Sequence, residues 1–147
     1  MTATQSMVGT NETDMNYPMF FRDSEGVLYF CFRDGGSDDG DFYVYSYTEA
    51  TTSWAGLAGT TAGLVMNGQS SGEGVYLFGS PAFTSDWDGS GTGLMYMAFT
   101  WRQTSGLTNE DIAIVAWDGT SWEQFDGSSQ TMPVTSANCD TIFTIPT

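Results

Sequence analysis

Two apolar runs constrain this chain more than any other feature: VLYFCF at 27–32 and LMYMAF at 94–99. A sheet with one wet face alternates polar and apolar residues along each strand. These runs are apolar at nearly every position, so strands built from them need cover on both faces. No stretch carries sustained helical periodicity, and Gly, Ser and Thr interrupt the chain too often for helices of ordinary length. The expected class is therefore all-β.

Each run sits inside a longer pattern, and the pattern occurs twice. In the first copy, NYPMFFRD reads as a strand ending at Arg22, Ser24-Glu25-Gly26 as a turn, and residues 27–33 as a strand. DGGSDDGD at 34–41 reads as a loop, FYVYSYT at 42–48 as a third strand, and Trp54 opens a fourth. In the second copy, SPAFTSD is a strand and WDGSGTG a turn ending at Gly93. LMYMAFTW at 94–101 is the next strand, RQTSGLTNE a loop, DIAIVAW at 111–117 a strand, and Trp122 opens the fourth. The landmarks keep their order: Pro18 and Pro81, Gly26 and Gly93, Arg33 and Arg102, Thr52-Ser53-Trp54 and Thr120-Ser121-Trp122. Four short antiparallel strands, repeated, are the blade unit of a β-propeller, in which neighbouring blades cover both faces. The competing architecture is a β-sandwich.

The organisation expected is an N-terminal segment at 1–15, blade 1 at 16–57, a connector at 58–74, blade 2 at 75–126, and a linker with the first strand of a further blade at 127–147. Leu64, Val65 and Met66 are the expected anchor of the connector. A ring needs about four to eight blades, and open blade faces expose more apolar surface than monomers usually carry. The chain thus implies self-association or the missing blades of a longer protein.

Charge narrows the partners. The net charge is −15, with three cations (Arg22, Arg33 and Arg102) and no histidine. Such a surface repels nucleic-acid phosphates and anionic membranes, so no nucleic-acid or membrane partner is expected. Without histidine the usual zinc and Ser-His-Asp sites are excluded from this chain. The first sixteen residues lack the basic and apolar regions of a signal peptide. An extracellular or virion-associated location is expected if the chain is part of a longer protein. Cys31 lies in an apolar run, where a buried thiol is the default reading, and a Cys31–Cys139 disulfide stays open.

At YPMFFRDSEGVLYFCFRDGGSDDGDFYVYSYTEATTSW, and again from WRQTSGLTNEDIAIVAWDGTSW to about Val134, the sequence resembles the BNR-repeat propeller family. Its members include polysaccharide lyases of the ulvan-lyase type and proteins of marine bacteria and phages. In the lyase members a His acts as base, a Tyr as acid or base, and an Arg neutralises the uronate carboxylate. Neutralisation acidifies the α-proton and makes β-elimination feasible. The resemblance implies that Tyr17, in the YP motif, and Arg33, in the RDG motif, are the catalytic residues carried by this chain. The family's histidines fall in an upstream blade and have no counterpart here, and its NHD-like segment reads Asn109-Glu110-Asp111.

Arg33 and Arg102 end equivalent strands, where propeller loops line the face that binds ligands. Either they recognise a carboxylate or sulfate on a sugar, or they form salt bridges, for example to Asp34 or Asp41. Tyr17 is a proton shuttle, or else a core or rim tyrosine. Trp101, Trp87 and Tyr76 are candidates to stack on sugar rings, and Asn109 a candidate contact. Trp54 and Trp122 read as packing residues. No metal site is assigned, although an acidic loop carrying Asp34, Asp38, Asp39 and Asp41 has the oxygen donors that calcium takes, the alternative being a solvated turn. Two functions are expected to compete. One is a carbohydrate-directed propeller that binds an acidic polysaccharide or other glycan and cleaves it by β-elimination. The other is a non-enzymatic oligomerising module of a phage particle or cell surface.

Overall fold

Strands β1 (Met15–Arg22), β2 (Leu28–Gly36) and β3 (Asp39–Thr48) form an antiparallel meander, with Asn16 opposite Arg33 and Arg33 opposite Phe42. This computed structural model describes residues 14–23, 26–79, 81–84, 94–104 and 108–145. The outer edge of β3 is taken by two short segments, β4 (Ser53–Gly56) and β5 (Leu64–Met66). The second unit repeats the plan. Strands β6 (Glu73–Leu77) and β7 (Ala82–Thr84) both pair with β8 (Leu94–Gln103), which pairs with β9 (Asn109–Trp117). The outer edge of β9 is again shared, by β10 (Trp122–Glu123) and β11 (Asp140–Phe143). These are two four-stranded antiparallel propeller blades that do not close a ring.

Three boundaries differ from the sequence reading. The acidic stretch at 34–41 is not a loop. Strands β2 and β3 run through it in register, Asp34 opposite Asp41 and Gly36 opposite Asp39, leaving a tight turn at Ser37 and Asp38. Blade 2 begins with β6, whose first two residues, Glu73 and Gly74, fall in the expected connector. β11 does not start a further blade, because it hydrogen-bonds to β9 and completes the outer edge of blade 2. The Gly93 turn, Trp87 and most of the 1–15 segment lie outside the described residues.

Strand parity explains why the runs are apolar throughout. Successive side chains on a strand point to opposite faces. On blade 1, Tyr29, Cys31, Phe42 and Val44 join a core shared with Met95, Met97, Phe99, Ala113 and Val115 of blade 2. The alternate residues Phe30, Phe32, Tyr43 and Tyr45 form a second cluster on the opposite face. There Phe32 stacks on Tyr43 with centroids 5.4 Å apart and on Tyr45 at 5.9 Å. Such aromatic pairs add about 0.5–1.5 kcal/mol each beyond their buried area.

The tail binds the blades together. Val134, fully buried, donates its N–H to Val65 O at 2.8 Å and accepts from Asn67 N at 2.8 Å, so the tail runs beside β5 at that point. Trp122 Nε1 donates to Ala58 O at 3.0 Å, closing the same seam. On the inner side the blades meet at a single parallel bridge, Gly40 opposite Gly74. That bridge fixes the candidate site.

Candidate functional site

Arg33 lies near the end of β2, before the turn at Ser37 and Asp38, and by parity with Cys31 it faces the seam between the blades. It is 2% exposed. Its Nη1 donates to Asn16 Oδ1 at 3.1 Å, but Nε and Nη2 are buried without a hydrogen-bond partner. Asn16 is itself held, donating Nδ2 to Gly35 O at 2.6 Å and Asp14 O at 3.1 Å. A buried charge with most of its donors idle is costly, so native structures almost always pair it. The salt bridges to Asp34 or Asp41 are absent among the described residues. The Asp41 carboxylate instead accepts the Gln69 N–H at 3.0 Å.

Aromatic rings supply what compensation there is. The guanidinium carbon of Arg33 lies 4.5 Å from the Tyr76 centroid and 6.0 Å from that of Tyr17. Cation–π contacts of this kind contribute about 0.5–2 kcal/mol. The Tyr76 hydroxyl donates to the Ser37 carbonyl, which ties the ring to the β2–β3 turn. Thr104 clamps the same turn, its hydroxyl donating to Asp38 O at 2.8 Å. Tyr17 meets Tyr76 edge-on at 6.1 Å. It lies at an irregularity between Asn16 and Met19 with φ of 51°, a left-handed conformation that a bulky residue rarely takes. The irregularity leaves the ring 59% exposed over the site. Bulges commonly re-aim a side chain in this way.

These groups line a cavity of about 280 Å³, with Tyr17, Met19, Arg33, Val75, Tyr76 and Phe78 among its walls. Two glycines make room for the guanidinium. A Cβ on Gly40 would lie 2.5 Å from Arg33 Nε, and one on Gly74 would lie 3.3 Å from Nη2. Arg102 approaches from blade 2. It is in register with Gly74 on one side and Asn109 on the other. Its guanidinium carbon is 5.9 Å from the Tyr76 centroid, and its Nε is also buried without a partner. The arrangement is an aromatic-walled cavity with unused guanidinium donors buried in its wall.

The whole chain, residues 1–147, matches the BNR repeat-containing family. The chain belongs to that family. Among solved structures this BNR-repeat chain is similar to the polysaccharide lyase Uly1, with a TM-score of 0.65 and 20% identity. The likeness covers 88% of this chain and 27% of that one, so the chain spans about a quarter of the length of the structure it matches. No curated protein matches the sequence.

Of the residues singled out from the sequence, the BNR-repeat fold brings Tyr17, Arg33, Tyr76 and Arg102 together. Asn109 is exposed beside Arg102 on the neighbouring strand. Trp101 does not join them. It is 2% exposed, packs edge-on against Phe99 at 5.4 Å, and directs its indole N–H to Cys139 Sγ at 3.4 Å, so no ring face is left for a sugar. The sequence reading missed Asn16, Gly40 and Gly74. Only the Asn preceding the YP motif was visible as a signal.

Among the described residues no group of three His, Cys, Asp or Glu is arranged to hold a metal ion. Burial, then the charges of Asp14, Asp41 and Asp39, raises the Asp34 carboxyl above the ordinary range. Burial also raises Asp41, against the hydrogen bonds from the Gln69 and Gly68 backbones. Cys31 and Cys139 are free thiols. Burial pushes Cys31 up to about 12.

Proposed function

We propose that this chain is the part of a carbohydrate-directed BNR propeller that grips the carboxylate or sulfate of an acidic polysaccharide. The observation that carries the reading is the buried Arg33 guanidinium, with Nε and Nη2 unpartnered beside a cavity walled by Tyr17 and Tyr76. An anion entering the cavity supplies the missing acceptors, and Arg presents them with a planar fork suited to carboxylate and sulfate. The rings offer apolar faces to the sugar. Membership of the BNR-repeat family and the likeness to a polysaccharide lyase support a glycan ligand.

Cleavage by β-elimination requires a base to take the α-proton, and this chain contains no histidine. We assign Arg33 to neutralise the uronate carboxylate and Tyr17, exposed above it, to proton transfer at the leaving oxygen. Electrophoresis through gels containing polygalacturonate tests the binding step. The parent chain is retarded relative to a gel containing neutral dextran, and Arg33→Gln migrates equally in both. Equal retardation of parent and variant contradicts the assignment.

A second reading is an oligomerising module. It is favoured by the exposure of Phe78 at the cavity, of Phe20 on the opposite face of blade 1, and of Ile142 and Phe143 on β11. Light scattering on the purified chain separates the two. A discrete oligomer of ring-closing size supports assembly, and a monomer contradicts it.

A further inference from the structure

Strands β4 and β10 lead into the same motif, Trp54-Ala55-Gly56-Leu57-Ala58-Gly59 in blade 1 and Trp122-Glu123-Gln124-Phe125-Asp126-Gly127 in blade 2. The local structure repeats with the sequence. Trp54 stands opposite Tyr47 with ring centroids 5.1 Å apart, and Trp122 stands opposite Trp117 at 5.1 Å. Gly59 and Gly127 both close the motif in the left-handed region, at φ of 76° and 82°.

The surroundings of the two copies differ. In the seam, Trp122 of blade 2 rests on the Leu57–Gly59 turn of blade 1. Its Nε1 donates to Ala58 O at 3.0 Å, and a Cβ on Gly59 would lie 3.3 Å from its Cδ1. Trp122 and Leu57 are both buried in the shared core. Each motif therefore supplies a tryptophan for one neighbouring blade and a seat for the tryptophan of the other. The remaining tryptophan and the remaining seat lie on opposite faces of the chain. Trp54 borders the open aromatic face of blade 1, and among the described residues its Nε1 has no acceptor. An indole N–H taken out of water needs one. On blade 2, Phe125 is 51% exposed where Leu57 is 5% exposed. Among the described residues nothing lies within 4 Å of a Cβ placed on Gly127. The faces around them correspond as well. Phe30 and Phe32 precede Arg33 by the same steps as Phe99 and Trp101 precede Arg102, and Phe99 and Trp101 are core residues of the seam.

We propose that blade 2 of one copy of this chain receives blade 1 of a second copy, which continues the seam between molecules. Trp54 of the second copy rests on the Phe125–Gly127 turn of the first and donates to the Asp126 carbonyl, as Trp122 does to Ala58. This rests on the oligomerising reading above and names the contact through which it acts. The contact is head-to-tail, so its rotation either closes a ring or extends a filament. A ring of about four to eight blades takes about two to four copies.

Sedimentation in about 1 M sodium chloride tests it, since the screening length there is about 3 Å and the net charge of −15 no longer holds copies apart. The parent chain associates. Trp54→Ala removes the tryptophan and Gly127→Asn fills the seat, and each weakens association by about thirtyfold or more, the scale of one anchoring tryptophan. Asparagine enters the left-handed region more readily than other side chains, so Gly127→Asn carries the test if Trp54→Ala fails to fold. The first variant keeps its seat and the second keeps its tryptophan, so the two mixed form a one-to-one dimer that grows no further. Variants that associate as strongly as the parent, or a mixture that stays monomeric, overturn the contact between Trp54 and the Gly127 turn and leave the oligomerising reading standing on another surface. A parent that stays monomeric overturns that reading, and the contact with it.

Discussion

The guanidinium of Arg33 lies 4.5 Å from the ring centroid of Tyr76, a contact between blades whose residues are far apart in sequence. It makes Tyr76 both a wall of the cavity and part of the scaffold, since the hydroxyl is tied to Ser37 O. Tyr76→Phe keeps the ring and loses that tie. It is expected to reduce stability by about 0.5–1.5 kcal/mol, the net value of one hydrogen bond, measured by urea unfolding.

If Arg33 is held for binding rather than for the fold, removing its charge should not cost stability. Replacing buried charged groups by apolar ones of similar volume is often neutral or stabilising. Arg33→Met is expected to have a urea midpoint equal to or above the parent while losing retardation in polygalacturonate gels. A large drop in the midpoint would mean that the charge is structural.

Gly40 tests the steric side. A Cβ there meets Arg33 Nε at 2.5 Å and the Asp34 carbonyl oxygen at 2.8 Å, and the carbonyl belongs to a paired strand that cannot step aside. Gly40→Ala is expected to destabilise by about 1–3 kcal/mol, the usual range for overpacking. It should also weaken glycan binding by displacing the guanidinium. Thermal and urea unfolding check the first effect.

Asp34 gives the chain a pH dependence of definite sign. Burial, then Asp14, Asp41 and Asp39, raises its carboxyl above the ordinary 3.8. A group whose folded value is raised binds more protons folded than unfolded just above 3.8. Its contribution to stability is therefore full below that value and lost as pH rises through the raised one. Asp34→Asn should raise the urea midpoint near neutral pH, and the difference from the parent should vanish below pH 3.8.

The thiols differ in reach. Cys31 is fully buried and its ionisation is pushed up to about 12, whereas Cys139 is half-buried. Since the thiolate is the reactive form, iodoacetamide should label one cysteine in the folded chain and two in denaturant. Intact mass measurement counts them.

The blade plan was legible because it is written locally. Apolar runs such as 27–32 and repeated turn landmarks specify strands that pair with their neighbours in sequence. The split outer edges were not legible. β11 reaches β9 across the β10 hairpin and the tail, and a strand of four residues does not announce which edge it will join. Arg33 and Tyr17 were found together because β1 and β2 are adjacent. Tyr76 came to them through the Gly40–Gly74 bridge, a long-range contact between two residues without side chains. Trp101 was misplaced for a reason the sequence did contain. It alternates with Met95, Met97 and Phe99, all buried, and follows their parity into the core, while Arg102 is the next residue along.

The most direct test is nuclear magnetic resonance of the arginine Nε–H groups, since the chain has only three arginines and no lysine. Titration with a uronate oligosaccharide should shift the Arg33 Nε–H resonance, as its idle donor gains an acceptor, and leave Arg22 unmoved. Saturable binding with the Arg33 signal unchanged would contradict the assignment of Arg33 as the anion receptor.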